Sequence, residues 1–226
     1  MRVGLTSATL VALLAFLAPS HALAPTGVEL NLGSSETEPR FCHGLDCPPF
    51  TVEKSGDSYD VRVYPGGLKW TSTVVTGSSF DDAVSTGFMR LFRYIGGENE
   101  RSEKIAMTAP VRVQVAPGDG PFCDSNFTVS FFVPFEDKDT GKKQKDVPAP
   151  TNKHVFQSVD QRDTQVFVKA FGGYSDEKIL QREATALAEA LQKDDIEISQ
   201  KTYVYAGYDS PFRPIDRHNE VWMTEG

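Results

Sequence analysis

Thiol and imidazole side chains, which bind metals and take part in covalent chemistry, are few in this chain: its 226 residues include three cysteines and four histidines. Cys42 and Cys47 flank a short turn that contains His43. This spacing allows a disulfide that closes the turn, or a metal site made of the two thiolates and the imidazole. A zinc-like site needs a second pair of ligands that the sequence lacks, so we favour the disulfide. Cys123 is left over, as a buried thiol or as the link of a dimer.

The other polar residues form no set that is typical of catalysis. The sequence contains no convergent Ser/His/Asp or Cys/His arrangement, no phosphate-binding glycine loop and no metal motif of known spacing. We interpret Glu220, next to Trp222, as a surface acid at the end of a strand. His43 and His154 lie in polar segments and are expected to be exposed. We therefore predict that the chain is not an enzyme.

The N-terminus has the pattern of a secretory signal peptide. Arg2 precedes an unbroken apolar run over residues 10–17, and two small-x-small cleavage patterns follow it. A membrane anchor would need about 20 apolar residues, which neither this run nor any later segment reaches. We predict that residues 1–24 are removed and that the protein is secreted and extracellular, with no membrane span. Because N-glycosylation occurs on exported chains, we predict that the sequon at Asn126 is glycosylated.

Charge and composition limit the partners and bound the folded part. The formal net charge is −8, and the lysines and arginines are scattered. An acidic chain of this kind is not typical of proteins that bind nucleic acid or anionic membranes. Residues 25–56 are rich in Gly, Ser, Thr, Glu and Pro without sustained periodicity, which predicts a loose N-terminal arm. Residues 57–226 are enough for one domain with its own core.

Apolar residues at helical spacing predict two helices. In the first, Ser79 and Asp82 resemble a capping box, and Gly96-Gly97 ends the pattern. The second begins with acids after Ser175, as the helix dipole favours. The apolar stripes are Phe80, Val84, Phe88, Leu91 and Ile95 in the first helix, and Leu180, Ala184, Leu187 and Leu191 in the second.

Alternating apolar residues predict strands on both sides of each helix. Residues 105–115 alternate throughout, although Pro110 belongs at an edge, a bulge or a strand end. The order strand, helix, strand, strand occurs twice. We therefore predict an α+β fold in which both helices pack on one curved antiparallel sheet or barrel. The other predicted strands cover residues 59–64, 68–74, 127–133, 166–171, 202–208 and 220–223.

Four separated motifs occur in order along the chain: Tyr59–Tyr64 with Trp70, Tyr94–Glu100, Lys104–Val111, and Ala206-Gly207-Tyr208 with Pro211 and Asn219–Trp222. Together they resemble the SOUL heme-binding protein family over residues 52–223. Each motif alone is weak, whereas the ordered set is specific. The resemblance implies a distorted antiparallel β-barrel of two βαββ-like repeats flanked by two helices, and binding of heme or another tetrapyrrole without turnover.

The resemblance also implies where a tetrapyrrole binds, in an apolar surface groove between the first helix and the loop that joins the last two strands. A porphyrin is a flat apolar disc with two carboxylates, so it needs apolar walls and cations at the rim. Phe88 lies on the buried stripe of the helix, and we interpret it as core. The groove residues are Met89, Phe92 and Arg93 on the helix, and Tyr208, Phe212, Arg213 and His218 around the loop.

The chain departs from the family at a position that bears on iron. Val63 stands where some members have a histidine proposed as the axial ligand; a second departure, Ala106 for the usual proline, is expected to be mild. His218 is then the candidate iron ligand and Met89 a softer one, and we expect apolar contacts with weak or no ligation to dominate. Two alternatives stay open: a protein-interaction module with a vestigial groove, which would have protein partners, and an enzyme that acts on a tetrapyrrole.

Overall fold

The computed structural model describes residues 39–118, 124–137, 143–198 and 202–226. The predicted signal peptide, the first part of the arm and Cys123 lie outside these residues. Within them, the chain forms nine strands, two α-helices and a short 3-10 helix. These are the 3-10 helix Arg40–Cys42, β1 (Thr51–Ser55), β2 (Asp60–Tyr64), β3 (Lys69–Gly77), α1 (Phe80–Ile95), β4 (Val111–Ala116), β5 (Ser125–Phe132), β6 (Val155–Val159), β7 (Thr164–Phe171), α2 (Glu177–Lys193), β8 (Tyr203–Gly207) and β9 (Asn219–Met223).

The nine strands form one antiparallel sheet in the order β1-β2-β7-β9-β8-β4-β5-β3-β6. The predicted α+β class is confirmed. The order has two ends, so the sheet is open rather than closed into a barrel. Closure would require β1 to pair with β6, and both strands carry mostly exposed side chains, as sheet edges do.

The sheet contains the two predicted repeats and three further strands, β1, β2 and β6. The segments β3-α1-β4-β5 and β7-α2-β8-β9 are the βαββ units, and β4 pairs with β8 where the two units meet. Each unit is preceded by a strand that pairs with the other unit, since β2 pairs with β7 and β6 pairs with β3. Each unit therefore depends on the other for the pairing of the strand that precedes it.

Each helix begins at a side chain that caps its N-terminus. Ser79 accepts a hydrogen bond from the backbone N–H of Asp82 at 3.3 Å, and Asp176 accepts one from Ile179 at 2.8 Å. The helix α1 packs on β3 and β5, and α2 packs on β7 and β9. Both helices cover the same face of the sheet, and their predicted apolar stripes are buried or half-buried there.

The alternating segment over residues 105–115 is not one strand. The strand β4 begins only at Val111, because Pro110 lacks the N–H that a ladder position requires. Ahead of it, the N–H of Ala109 donates to the carbonyl of Asp46 at 3.0 Å. Ala109 therefore bonds to the N-terminal part of the chain, while the Thr108 hydroxyl donates to the carbonyl of Phe132 on β5 at 2.8 Å.

The described part of the predicted arm is packed against the sheet rather than loose. Cys42 and Cys47 are buried and joined by a disulfide, which confirms the favoured interpretation and uses both thiols of the proposed metal site. Residues 39–50, which we call the N-terminal cap, lie on the sheet face that the helices leave open. The edge strand β1 follows; all its side chains are exposed, so no alternating pattern marks it.

Candidate functional site

A polar cluster lies on the sheet face opposite the helices. Arg62 on β2 and Glu220 on β9 point to this face, while their neighbours Val61 and Val221 belong to the core beneath the helices. The Nη1 atom of Arg62 lies 2.8 Å from Oε1 of Glu220, and both side chains are buried. Since β7 lies between β2 and β9, the arginine side chain reaches across a whole strand.

Three further side chains surround the Glu220 carboxylate. His218 Nε2 lies 2.7 Å from Oε1, and the Tyr208 hydroxyl and the Trp222 indole N–H donate to Oε2 at 2.9 and 2.7 Å. Glu220 is 0% exposed. A charged carboxylate can be buried only with such complete pairing. The prediction that Glu220 is a surface acid is therefore wrong.

The partners determine the ionisation of the cluster. Burial raises the pKa of Glu220, but the hydrogen bond from His218 and the charge of Arg62 outweigh it, so the pKa lies below its usual value. Burial lowers the pKa of Arg62 and the charge of Glu220 raises it, with a net rise. Burial and the Glu220 charge raise the pKa of Tyr208 well above its usual value. The interior thus holds a carboxylate, a guanidinium and a neutral phenol.

The N-terminal cap covers this cluster with two aromatic rings. The Phe41 ring stacks on the His218 ring with their centroids 4.2 Å apart. The Phe50 ring centroid lies 4.5 Å from the guanidinium carbon of Arg62. The cap therefore shields the cluster from solvent, and the Cys42–Cys47 disulfide closes the turn between these two rings.

The predicted groove residues of α1 lie on the other side of the sheet. Met89 and Phe92 are 44% and 49% exposed, and Arg93 is exposed beside them. The Phe92 ring stacks on Phe88 at 5.7 Å between centroids, and Phe88 contacts Phe131 of β5 at 5.3 Å. We call Phe88, Met89, Phe92 and Arg93 the α1 strip. These side chains of α1 extend from the core out to solvent.

The predicted groove residues around the β8–β9 loop do not lie together: two are in the polar cluster and two are on the loop. Tyr208 and His218 come together in the polar cluster, with ring centroids 5.1 Å apart. Phe212 is 92% exposed at the loop tip. Arg213 Nε lies 3.2 Å from a carboxylate oxygen of Asp209, whose side chain is buried. The sheet therefore separates Tyr208 and His218 from the α1 strip, whereas Phe212 remains in solvent.

Arg62 and Glu220 are the residues of this site that the sequence interpretation missed. In an antiparallel sheet, polar residues that alternate with apolar ones are usually solvated. The overlooked signal is that Val221 and Trp222 are consecutive apolar residues on β9, which is typical of a strand buried on both faces. All five residues of β9 are buried. An acid in such a strand must have partners.

The other predicted chemical sites are less central. His43 and His154 are exposed, as predicted. Asn126 is exposed on β5 and accepts a hydrogen bond from Thr76 Oγ1 at 2.7 Å; its glycosylation stays a prediction. Among the described residues, no three His, Cys, Asp or Glu side chains are grouped to hold a metal ion. No helix in the same ranges is long and apolar enough to cross a membrane.

Known proteins resemble this chain over most of its length. Residues 45–224 match the family model described as SOUL heme-binding protein. Heme-binding protein 2 from Homo sapiens is 41% identical over 168 residues, which cover 74% of this chain and 78% of that protein. The protein of the same name from Mus musculus is 38% identical over 177 residues, or 78% of this chain and 82% of the relative.

A second kind of relative and a solved structure extend the comparison. Heme-binding protein 1 from Xenopus laevis is 35% identical over 171 residues, which cover 76% of this chain and 85% of that protein. The crystal structure of the EcmrR C-terminal domain aligns with a TM-score of 0.50 at 10% identity, covering 78% of this chain and 98% of that one. At this identity, the likeness concerns the fold alone.

Proposed function

The chain belongs to the SOUL heme-binding protein family, and from that premise we propose that it binds heme or a related tetrapyrrole reversibly, as a carrier or buffer without turnover. Its relatives are named as heme-binding proteins. The observation that carries the proposal is the α1 strip, in which Met89 and Phe92 are 44% and 49% exposed beside Arg93. Apolar side chains next to a cation match a flat apolar ring that carries carboxylates.

The groove that we propose runs from the α1 strip to the loop between β8 and β9. Phe88 contacts Phe131 on β5. Phe131 pairs with Val111, and Val111 pairs in turn with Gly207, after which the loop begins. Gly207 therefore lies about 10 Å from Phe131, two strand spacings away. The contact of the strip with the sheet and the start of the loop thus lie at the same end of the sheet, and we propose that one ligand contacts both.

His218 is poorly placed to ligate iron in this groove. Its Nε2 atom lies 2.7 Å from Glu220, its ring stacks on Phe41, and the sheet lies between it and α1. We therefore propose that apolar contacts hold the tetrapyrrole and that Arg93 and Arg213 pair with its carboxylates. Ligation of the iron by the protein is weak or absent in this proposal.

A hemin titration followed at the Soret band tests the groove. We expect saturable one-to-one binding that Met89→Ser/Phe92→Ser weakens about thirty-fold, because each side chain loses about 1 kcal/mol of apolar burial. Phe156→Ser is the matched control, since Phe156 is 42% exposed on the edge strand β6. A response that never saturates, or equal losses in control and groove variants, contradicts the proposal.

Two further variants test the charge and the iron. Arg213→Glu should weaken hemin binding by placing a negative charge beside the propionates. His218→Ala should leave the position of the Soret band unchanged, because the proposal gives this imidazole no contact with iron. A band shift in His218→Ala would instead establish ligation and move the site to the cap side of the sheet.

A second candidate function, a protein-interaction module, is favoured by the tip of the β8–β9 loop. Phe212 and Ile215 are 92% and 70% exposed. Arg217 nevertheless holds the loop through hydrogen bonds to two loop carbonyls at 2.7 and 2.9 Å. Large apolar side chains on an ordered loop suit a protein interface. For this function, Phe212→Ser/Ile215→Ser should abolish binding of a partner that Phe92→Ser still binds.

We also propose that the protein acts outside the cell. The N-terminal sequence pattern supports export, and a disulfide is typical of oxidising compartments. Expression in secreting eukaryotic cells should yield a chain in the medium that begins after Ala22 or Ala24. A glycosidase should increase its mobility, and Asn126→Gln should remove that change. A chain that keeps Met1 and stays inside the cells contradicts the proposal.

A further inference from the structure

A groove of about 780 Å³ lies between α2 and the strands β8 and β9, separate from the α1 strip and the polar cluster. Pockets for small organic ligands span about 300–1,000 Å³, so this groove is large enough for one. Small side chains on α2 leave the space open. The apolar residues that line the groove are Ala184 and Ala188 of α2, Ile196 and Ile198 after it, Tyr203 of β8 and Met223 of β9.

The charged residues that line this groove in the described part of the chain are acidic. Glu189 and Glu197 line it, and none of its described lining residues is a lysine or an arginine. Asp194 and Asp195 follow α2 directly, and the C-terminus of a helix adds partial negative charge. Lys193 in the last turn is exposed, and it does not line the groove; Asp194 and Asp195 do not line it either, so Glu189 and Glu197 are its charged lining residues. A positively charged group is therefore attracted to the groove.

The wall of the groove beyond α2 is held by the end of the chain. Ile198 forms a β-bridge with Glu225, and the N–H of Gly226 donates to the carbonyl of Glu197 at 3.1 Å. These contacts tie the segment after α2 to the residues that follow β9. These contacts hold Glu197 and Ile198 in place, which lowers the cost of ordering this part of the wall when a ligand binds.

We infer that this groove binds a small apolar cation, an amphiphilic amine or quaternary ammonium with an aromatic or alkyl body. The apolar walls take the body of the ligand, Glu189 and Glu197 attract its charge, and Tyr203 supplies an aromatic ring. A tetrapyrrole with two carboxylates is repelled by the same glutamates. The site is therefore distinct from the proposed tetrapyrrole groove, and the inference goes beyond the proposed function.

Fluorescence titration with two dyes tests the charge requirement. Rhodamine 6G is an apolar monocation, and rhodamine B has the same ring system but is a zwitterion. We expect saturable one-site binding of rhodamine 6G. Glu189→Gln/Glu197→Gln should weaken it about ten-fold, because each exposed carboxylate contributes up to about 1 kcal/mol. Rhodamine B should bind more weakly and respond little to these substitutions.

Two controls decide between this groove and a general attraction to an acidic protein. Glu98→Gln/Glu100→Gln removes the same charge from exposed residues after α1 and should leave rhodamine 6G binding unchanged. Ala188→Phe fills the groove and should abolish it, with circular dichroism to check folding. If Ala188→Phe fails to fold, the comparison of Glu189→Gln/Glu197→Gln with Glu98→Gln/Glu100→Gln still tests the inference.

The inference is overturned if rhodamine 6G does not saturate, if rhodamine B binds equally well, or if both glutamine pairs weaken binding equally. Hemin titration of the same variants keeps the two proposals apart. Because the two sites lie at different helices, Glu189→Gln/Glu197→Gln should leave hemin affinity within about two-fold. If the unaltered protein binds rhodamine 6G but not hemin, the tetrapyrrole proposal is rejected and the inference about the α2 groove stands.

Discussion

Glu220 and Arg62 are charged residues inside a protein, and each is stable there mainly because the other is present. Each ion loses its hydration at a cost of several kcal/mol, which their attraction and the hydrogen bonds from Tyr208 and Trp222 offset. Removal of one partner leaves the other charge buried and unpaired. The pair therefore adds little net stability to the fold, but loss of either partner alone is strongly destabilising.

A double-mutant cycle measures this dependence. Glu220→Gln and Arg62→Met should each lower the free energy of unfolding by about 3–5 kcal/mol. The double variant should lose less than the sum of the two by about 2 kcal/mol, as urea denaturation of the four proteins will show. Asp60 lies 3.2 Å from Arg62 but is 31% exposed, so Asp60→Asn is the control and should change little. Additive losses in the cycle contradict the mutual dependence.

The low pKa of Glu220 predicts how stability depends on acid. The pKa in the folded state lies below the usual 4.5, so the unfolded state binds more protons as the pH falls. The contribution of Glu220 to stability is therefore present above about pH 4.5 and is lost as the pH falls through the folded-state pKa. Thermal denaturation of Glu220→Gln should show a shallower loss of stability in acid than the unaltered protein. Parallel curves would assign the acid sensitivity to other carboxylates.

The helix α1 approaches the sheet closely at Gly87. A Cβ atom at this position would lie 2.5 Å from Cγ2 of Val129 on β5, which is too short for any contact. Glycine inside a helix is less favourable than alanine by about 1 kcal/mol. The residue thus permits a packing distance that a larger residue prevents, and that distance positions the α1 strip.

Gly87→Ala should therefore lower the free energy of unfolding by about 1–3 kcal/mol, although alanine is the better helix former. Val129→Ala removes the methyl group that the new Cβ would meet, so the double variant should be more stable than the sum of the single changes predicts. Ser85→Ala, on the exposed side of α1, is the control and should change stability by less than about 0.5 kcal/mol. If Gly87→Ala stabilises the protein, α1 is free to move and the close contact is unimportant.

The elements that depend on local patterns were predictable, and those that depend on distant partners were not. Both helices were predicted because their caps and apolar stripes lie within one short stretch of sequence. The strand β1 has only exposed side chains, and Pro110 interrupts a ladder without altering the alternation around it. Tyr208 and His218 were predicted near one site, but Arg62 is distant in sequence, so its pairing with Glu220 could not be predicted.

We expect the two repeats to unfold as one cooperative unit, because the strand that precedes each repeat pairs with the other repeat. The strand β2 precedes the repeat of α1 and pairs with β7 of the other repeat, while β6 precedes the repeat of α2 and pairs with β3. The central pair β4 and β8 joins the same halves. Unfolding of either repeat would remove a strand partner from the other. A partly folded state with one intact repeat is therefore unfavourable.

The two tryptophans of the chain report on the two repeats separately, since Trp70 lies on β3 and Trp222 on β9. Trp70→Phe leaves the reporter of the second repeat, and Trp222→Phe leaves that of the first. We predict that, in each variant, the fluorescence curve in urea coincides with the curve from far-ultraviolet circular dichroism. Each variant is compared with itself, because Trp222 donates to Glu220 and its loss lowers the midpoint. If the fluorescence of either variant changes at a lower urea concentration than the circular dichroism, the pairings of β2 with β7 and of β6 with β3 do not couple the two repeats.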